Sequence, residues 1–547
     1  MSGGRREATR GWLIHNGALL DATRADRGAG RGAGRAEAVL VRGGLIEAVG
    51  PLRSLRRRTG RGVELYDLRG GTLTPGFVDA HIHLLTWIRA LREARLGEEQ
   101  DAGALERLVR SRERRLRAGE WVTLRGWVPR EWPAEARARA TLDRISPRTP
   151  LVVYAADGHS VWANGAALAA AGIGERTPNP PGGVIARDAR GGLTGHLVEE
   201  AANLLRPHVP RLDDPEVELR DAAVRARSLG ITAVHDFDRA ATWRAAQALA
   251  AAGRLPLRVL LSVPVATLDA AEALGLRGGF GGGRLRVGPV KMFADGTLGS
   301  ATALLEEPYE GSLSHGIEVT SGDEMRRRTL QAARAGLSVA IHAIGDRAVR
   351  HALDAIEGAL AGGARFPVPP RVEHIQLCRA EDFARFRRLR VVASVQPAHL
   401  LTDRPVARGY WGSRTDRSYA WRSLLRARAD VWFGSDAPFD VAGPVRALHA
   451  ALHRRRPGER PGHAYHAEQR VTLRQALRAH LESPHRAWGP GARLGRIAPG
   501  FAADLAAFDH DLARVLRDGE GAREAELEAA GLPRCTWVDG EVISHRR

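Results

Sequence analysis

His81 and His83 stand one residue apart at the end of the apolar run Phe77-Val78, which is launched by the turn signal Thr74-Pro75-Gly76. On a strand, residues i and i+2 face the same side, so both imidazoles can point into one cavity. Together they offer a compact pair of nitrogen ligands for zinc or a similar ion. A lone His-x-His also occurs by chance. Four later strand-like runs, however, end on further candidate ligands: Lys291, His342, His374 and Asp436. Taken singly, each has a plain structural use. His342 or His374 reads as a hydrogen-bonded core histidine, Asp436 as the cap of the turn Gly434-Ser435-Asp436-Ala437-Pro438, and Lys291 as a salt-bridge partner. Six such residues at matching strand ends favour one joint metal site.

Lys291 stands out for a second reason. Lysine and arginine together number 82, and Lys291 is the single lysine, which leaves 81 arginines. Where a plain positive charge is wanted, this chain uses arginine. A buried lysine can lose its proton and act as a nucleophile; an arginine in practice cannot. The neutral amine can also take up carbon dioxide to give a carbamate, an anionic oxygen ligand for metals.

The elements that must position these groups follow a regular rhythm. After about residue 216, helical segments alternate with apolar strands at 232–236, 257–261, 288–293, 338–342, 371–375, 391–395 and 431–436. With the His81/His83 strand these make eight parallel βα units, and eight units fit an α/β fold of the (β/α)8 TIM-like barrel type. In such barrels chemistry gathers at the C-terminal ends of the strands, where the six candidates fall. Short strands and hairpin signals at 12–72 (Asn16-Gly17, Gly43-Gly44) read as a small antiparallel unit, with a Gly/Ala/Arg loop at 27–35. Matching strand material at 496–508 and 535–543 suggests that both chain ends build one small β-sandwich. The expected division is 1–72 sandwich, 73–488 barrel and 489–547 sandwich. The barrel is interrupted at about 95–215 by an insertion able to cover the site. Within that block, 86–145 reads as helical with a strand-like patch at Gly126-Trp127, 151–159 as a strand, 164–171 as a helix and 173–195 as Gly/Pro-rich loop.

Composition bounds the rest. A chain of 547 residues, 44% hydrophobic, supports a sizeable buried core. Cys378 and Cys535 give no disulfide framework and fit a reducing compartment. No apolar run is long enough to span a bilayer, and no apolar stretch follows the basic residues 1–6, so the cytoplasm is the expected location and no membrane partner is expected. The net charge of +19 invites a nucleic-acid reading. Against it, the arginines are scattered, aromatics are only 5% and no basic block is long, so nucleic acid is not an expected partner. A small-molecule substrate is expected, and a homodimer is left open.

The chain resembles the amidohydrolase superfamily of metal-dependent hydrolases, and within it the amidohydrolase-3 (YtcJ-like) group. The resemblance is carried by Pro75-Gly76-Phe77-Val78-Asp79-Ala80-His81-Ile82-His83, Gly158-His159 with Asn164, and Thr194-Gly195-His196-Leu197-Val198-Glu199. It continues in Val290-Lys291-Met292-Phe293-Ala294-Asp295-Gly296, His342-Ala343-Ile344-Gly345-Asp346 and Arg371-Val372-Glu373-His374-Ile375-Gln376. Gln396-Pro397-Ala398-His399, Gly434-Ser435-Asp436-Ala437-Pro438 and Ala503-Asp504-Leu505 complete it. One departure lies near 481–487, where relatives often carry a threonine-led helix start.

The resemblance implies that His81 and His83 hold one divalent ion, most simply zinc, and that His342 and His374 hold a second. Carboxylated Lys291 would bridge the two. Asp436 would bind metal and act as the catalytic general base and acid. If Lys291 is unmodified, one zinc with His81, His83, His342 and Asp436 suffices. Paired ions of this kind bring a bridging water's pKa down to roughly 7. The implied reaction is hydrolysis of a C–N bond in a small amide, such as an N-acyl or N-formyl amine. The alternative is a deaminase or cyclic-amide hydrolase of the same superfamily; deaminases usually place a glutamate three residues after the strand-five histidine, where this chain has Gly345. Substrate contacts are expected from His159, Asn164 and Glu199 in the insertion, from Asp295 beside Lys291, and from His399 after strand seven.

Overall fold

The structure is a computed structural model that describes residues 11–25, 37–97, 101–117, 119–133, 135–209, 214–517 and 523–544. Residues 1–6 and the expected loop at 27–35 lie outside the described residues. Eight parallel strands form the central sheet: β1 (Phe77–Ile82), β2 (Ile231–Asp236), β3 (Arg258–Pro264), β4 (Leu285–Phe293), β5 (Val339–Ala343), β6 (Arg371–His374), β7 (Val392–Val395) and β8 (Asp430–Phe433). They pair in chain order from β1 to β8. Burial of nearly every residue on them, with helices packed outside, explains why they read as unbroken apolar runs rather than alternating ones.

β8 and β1 close the ring just beyond their C-terminal ends. Asp436 N–H donates to the His81 carbonyl (2.7 Å), His83 N–H donates to the Ala437 carbonyl (3.0 Å), and Ser435 N–H donates to Asp79 Oδ1 (2.9 Å). Gly434 permits this approach, since a Cβ there would lie 2.5 Å from the His81 nitrogen. The seam is therefore joined at the level where the candidate ligands emerge.

Both chain ends contribute to the flanking sheets. A four-stranded sheet runs Leu45–Pro51, Glu37–Arg42, Gly11–His15, Val63–Asp67, and a five-stranded sheet runs Ala18–Leu19, Thr72–Pro75, Leu505–Phe508, Cys535–Val538, Glu541–Ser544. Trp12, Val39, Leu73, Leu505 and Trp537 share one core between them. The unit is not purely antiparallel as expected: Gly11–His15 pairs parallel with Val63–Asp67, and Ala18–Leu19 with Thr72–Pro75. Local alternation of apolar and polar residues reveals a strand but not the direction of its partner.

The block between β1 and β2 carries its own six-stranded sheet, in the order Gly183–Arg187, Leu193–Glu199, Ser160–Ala163, Leu151–Ala155, Val122–Trp127, Ala94–Arg95. The strand-like patch expected at Gly126-Trp127 is the end of a full strand, the strand expected at 151–159 is present over Leu151–Ala155, and the expected loop at 173–195 holds most of a hairpin. Arginine and alanine mask the strand pattern there; stacked Trp127 and Trp162 (5.1 Å between ring centroids) reveal a separate core. No helix of the described residues is long and apolar enough to cross a membrane.

The sandwich is fixed to the barrel through Arg258 at the start of β3. Its guanidinium is buried and bound twice by Asp504 (2.6 and 3.0 Å), and it also reaches Asp539. Removing one partner of a buried pair leaves an under-compensated charge. Asp504→Ala is therefore expected to lower unfolding free energy by about 3 kcal/mol in urea titrations. A loss below about 1 kcal/mol would show that Asp539 alone suffices.

Candidate active site

The six candidates converge at the C-terminal mouth of the barrel. Asp436, directly after β8, is the shared element. Its Oδ1 lies 3.4 Å from both His81 Nε2 and His83 Nε2, while Oδ2 lies 3.8 Å from His399 Nε2 and 3.9 Å from His374 Nδ1. Two groups with the spacing of a metal site result, His81/His83/Asp436 and His374/His399/Asp436. The His342 ring stands 4.5 Å from that of His374. Asp436 and His374 have φ of +58° and +74°, a sparsely populated region for non-glycine residues. Such backbone persists where the surroundings over-determine it, and it aims both side chains inward.

Each imidazole is held by one nitrogen. His81 Nδ1 donates to Glu373 Oε2 (2.7 Å), His374 Nδ1 donates to Gln396 Oε1 (2.9 Å), and His342 Nε2 donates to the Gly296 carbonyl (3.0 Å). His83 Nδ1 faces Asp238 Oδ1 at 3.7 Å. A carboxylate or carbonyl behind a histidine fixes its tautomer and leaves the other nitrogen as a lone-pair donor, which is the arrangement metal ligands require. Burial first, then the Lys291 charge, keeps His81 and His342 far below the ordinary histidine pKa. Burial and the neighbouring His342 do the same for His374. All three are neutral, as ligands must be. His83 differs: burial opposes its charge, but Asp238 and Asp436 more than offset that and lift it to about 9. The three neutral imidazoles with Asp436 fit a divalent cation, and His83 joins them by releasing its proton as the cation binds.

Lys291, on β4, is buried, with Nζ over the rings of Phe237 (4.6 Å) and Phe293 (4.9 Å). No carboxylate of the described residues forms an ion pair with it. Burial pushes its pKa down to about 8; Glu373 and Asp436 resist and Arg371 assists. About a tenth of it is therefore the neutral amine at pH 7, far more than for an ordinary lysine.

The expected substrate contacts divide. His159 reaches the mouth, its ring 5.5 Å from that of His342, and its Nδ1 donates to Glu199 Oε2 (2.7 Å). Burial works against a charge on His159, yet Glu199 holds its pKa above the ordinary value. The other Glu199 oxygen accepts from the Thr302 hydroxyl (2.7 Å), so Glu199 orients His159. Asn164 does not join the site. It caps the helix Gly165–Ala170, accepting from Ala167 N and Leu151 N and donating to the carbonyls of Ser146 and Thr149. Asp295 accepts from the Leu304, Ile344 and Gly345 N–H groups and also stands 3.6 Å from His342 Nε2, at the edge of the site; burial lifts its pKa to about 7. A sequence cannot show which polar groups backbone will claim.

Several residues of the site were not singled out by sequence. Asp79 holds the seam, Glu373 and Gln396 hold imidazoles, and Arg371 pairs with Glu373 (2.8 Å) and donates to His235 Nδ1 (2.8 Å). Asp236 and Asp238 follow β2 and fix 84–86 through backbone N–H groups. Their place at a strand's C-terminal end was the available signal. Glu373→Gln is expected to weaken zinc affinity about 10- to 100-fold, read by competition with a chromophoric chelator. Unchanged affinity would mean that Glu373 serves only to neutralise Arg371.

The chain matches the model of the amidohydrolase family over residues 64–544. It is 30% identical over 489 residues to the putative amidohydrolase YtcJ of Bacillus subtilis (strain 168), covering 87% of this chain and 91% of that one. To the N-substituted formamide deformylase of Arthrobacter pascens it is 29% identical over 544 residues, covering 94% and 95%. The crystal structure of an uncharacterized metal-dependent hydrolase from Pyrococcus horikoshii OT3 aligns with a TM-score of 0.74 at 26% identity, covering 93% of this chain and 99% of that one. With its barrel, its convergent histidines and a family match across most of its length, the chain belongs to the amidohydrolase family of metal-dependent hydrolases.

Proposed function

We propose that this hydrolase cleaves the C–N bond of a small non-peptide amide, an N-acyl or N-formyl amine. The observation that carries it is the single carboxylate of Asp436 set 3.4 Å from two imidazole nitrogens and facing a second histidine group. His81, His83, His342, His374 and Asp436 would hold the metal, zinc in this proposal, with carboxylated Lys291 as the anionic bridge. A divalent cation held there supplies a lowered water pKa and polarises a carbonyl. Asp436 accepts the proton from the attacking water and returns it to the leaving nitrogen, so that R–CO–NH–R′ and water give a carboxylic acid and an amine. Glu373, Gln396 and the Gly296 carbonyl keep the imidazoles aimed while this proton moves.

Two observations favour this chemistry over deamination. The 29% identical relative is an N-substituted formamide deformylase. The place where deaminases carry a glutamate is Gly345, whose Cβ position is filled by the Leu304 carbonyl at 2.0 Å. No longer side chain fits there without moving the loop.

Metal analysis of the purified chain, joined to a screen of N-formyl and N-acyl amines for released amine, tests the proposal directly. Turnover of none of them in zinc-loaded protein would sink it. Asp436→Asn is expected to lower kcat by about 10²- to 10⁴-fold. Lys291→Arg is expected to abolish activity and lower metal content, and a fully active, fully metallated variant would contradict the carbamate. Carbamate formation consumes the neutral amine and releases one proton. With the Lys291 pKa lowered to about 8, the neutral fraction grows as pH rises through that value. Reactivation of metal-stripped protein at fixed dissolved CO2 should then quicken between about pH 7 and 9. A rate that is flat across that range would place the amine outside the process.

A further inference from the structure

Between the insertion and the barrel mouth lies a cavity of about 500 Å³, lined among others by Thr86, Trp121, Tyr154, Gly158 and Phe439. It adjoins the metal centre at two points. The Phe439 ring is 5.4 Å from that of His83 and 6.3 Å from that of His159. Thr86 donates its hydroxyl to Asp238 Oδ1 (2.6 Å), the oxygen that faces His83.

Seven arginines and three glutamates line the cavity. In a chain this rich in arginine the count alone says little, and pairing decides. Arg89 is bound twice by Glu218 (2.9 and 3.0 Å), Arg92 reaches Asp221 (3.2 Å), and Arg125 is tied to Glu93. Arg112 donates to the Arg92 carbonyl (2.9 Å), and Arg115 and Arg117 are exposed to water, where a cation needs no partner. Arg206 is different. It is half-buried in the wall and has no hydrogen bond or ion pair among the described residues. The groups around it are Arg239, Tyr154, Arg125 and Asp238; burial and then Arg239 push its pKa below the ordinary arginine value. Withdrawing a cation from water without a partner is costly, and a ligand that supplies the missing charge removes that cost.

We propose that Arg206 binds a carboxylate carried by the substrate, so that the amide cleaved belongs to a molecule with a negative charge on the side entering this cavity. The inference rests on the amide-hydrolase reading above. A guanidinium meets a carboxylate through two parallel N–H···O bonds, which fixes orientation as well as charge. A cavity of this size is typical of small-molecule sites, and Trp121, Tyr154 and Phe439 in its lining supply apolar surface for the uncharged part.

N-formylphenylalanine and N-formyl-2-phenylethylamine differ by the carboxylate alone. The zinc-loaded enzyme is expected to favour the former about 10- to 100-fold in kcat/KM, mainly through KM, the worth of one charge-assisted pair. Arg206→Gln should collapse that ratio toward unity and Arg206→Lys should restore part of it. A ratio near unity in the wild type, or one that survives Arg206→Gln, overturns the carboxylate site and leaves amide hydrolysis standing. Calorimetric binding of N-acetylphenylalanine to the metal-stripped chain gives a readout free of turnover. Binding that weakens about tenfold or more in Arg206→Gln, with neither formamide hydrolysed, keeps the carboxylate site and sinks the amide reading. Neither binding nor hydrolysis sinks both.

Discussion

The hydrogen bond from Asp436 N–H to the His81 carbonyl is the contact on which the rest of the site depends. It joins the segment after the last strand to the first strand, and it does so through the backbones of two residues whose side chains meet there. A barrel closed elsewhere along the seam would leave Asp436 and the two first-strand histidines at different heights. Asp79 and Gly434 serve the same joint, one by accepting the Ser435 N–H, the other by having no side chain where the His81 backbone passes. The cost of the tight corner is visible in the positive φ of Asp436, carried by a residue type that tolerates this region better than most.

Around this joint the charges are arranged to leave nitrogen lone pairs exposed inward. Burial makes three imidazoles neutral, and each has a polar group behind it to fix its tautomer. Lys291 is buried with no ion pair among the described residues, and burial lowers its proton affinity against the pull of Glu373 and Asp436, where an arginine would stay charged. The acids that are present, Glu373 and Asp436, are shared among several cationic or proton-bearing partners. Asp295 shows the other use of a buried carboxylate: it gathers backbone N–H groups from the 304 and 344–345 loops and so shapes the mouth, with one oxygen 3.6 Å from His342 Nε2.

The two accessory units act on different sides of this centre. The sandwich grips the root of β1 and β3 through Asp504 and Arg258, far along the chain from the residues it steadies. The insertion instead reaches the mouth, where His159 and Phe439 face the metal-site histidines and an arginine-lined cavity opens beside them. Anchoring of the strand roots and covering of the mouth thereby fall to separate pieces of chain.

Much of the barrel and of the metal site was legible in the chain itself, because strand ends, residue type and i, i+2 spacing are local properties. His81, His83, Lys291, His342, His374 and Asp436 could be named for that reason, and the lone lysine among 81 arginines stood out by type alone. What the sequence could not determine was how competing demands on polar groups would be settled. Asn164 became a helix cap and Asp295 a loop anchor because backbone donors and acceptors, which carry no sequence label, reached them first. Glu373, Asp238 and Arg206 gained their roles from neighbours tens to hundreds of residues away. The parallel pairing within the sandwich and the insertion's hidden sheet were decided in the same manner. Identity and spacing set which chemistry was available; only the closing of the barrel and the packing of its attachments decided which groups were left free to do it.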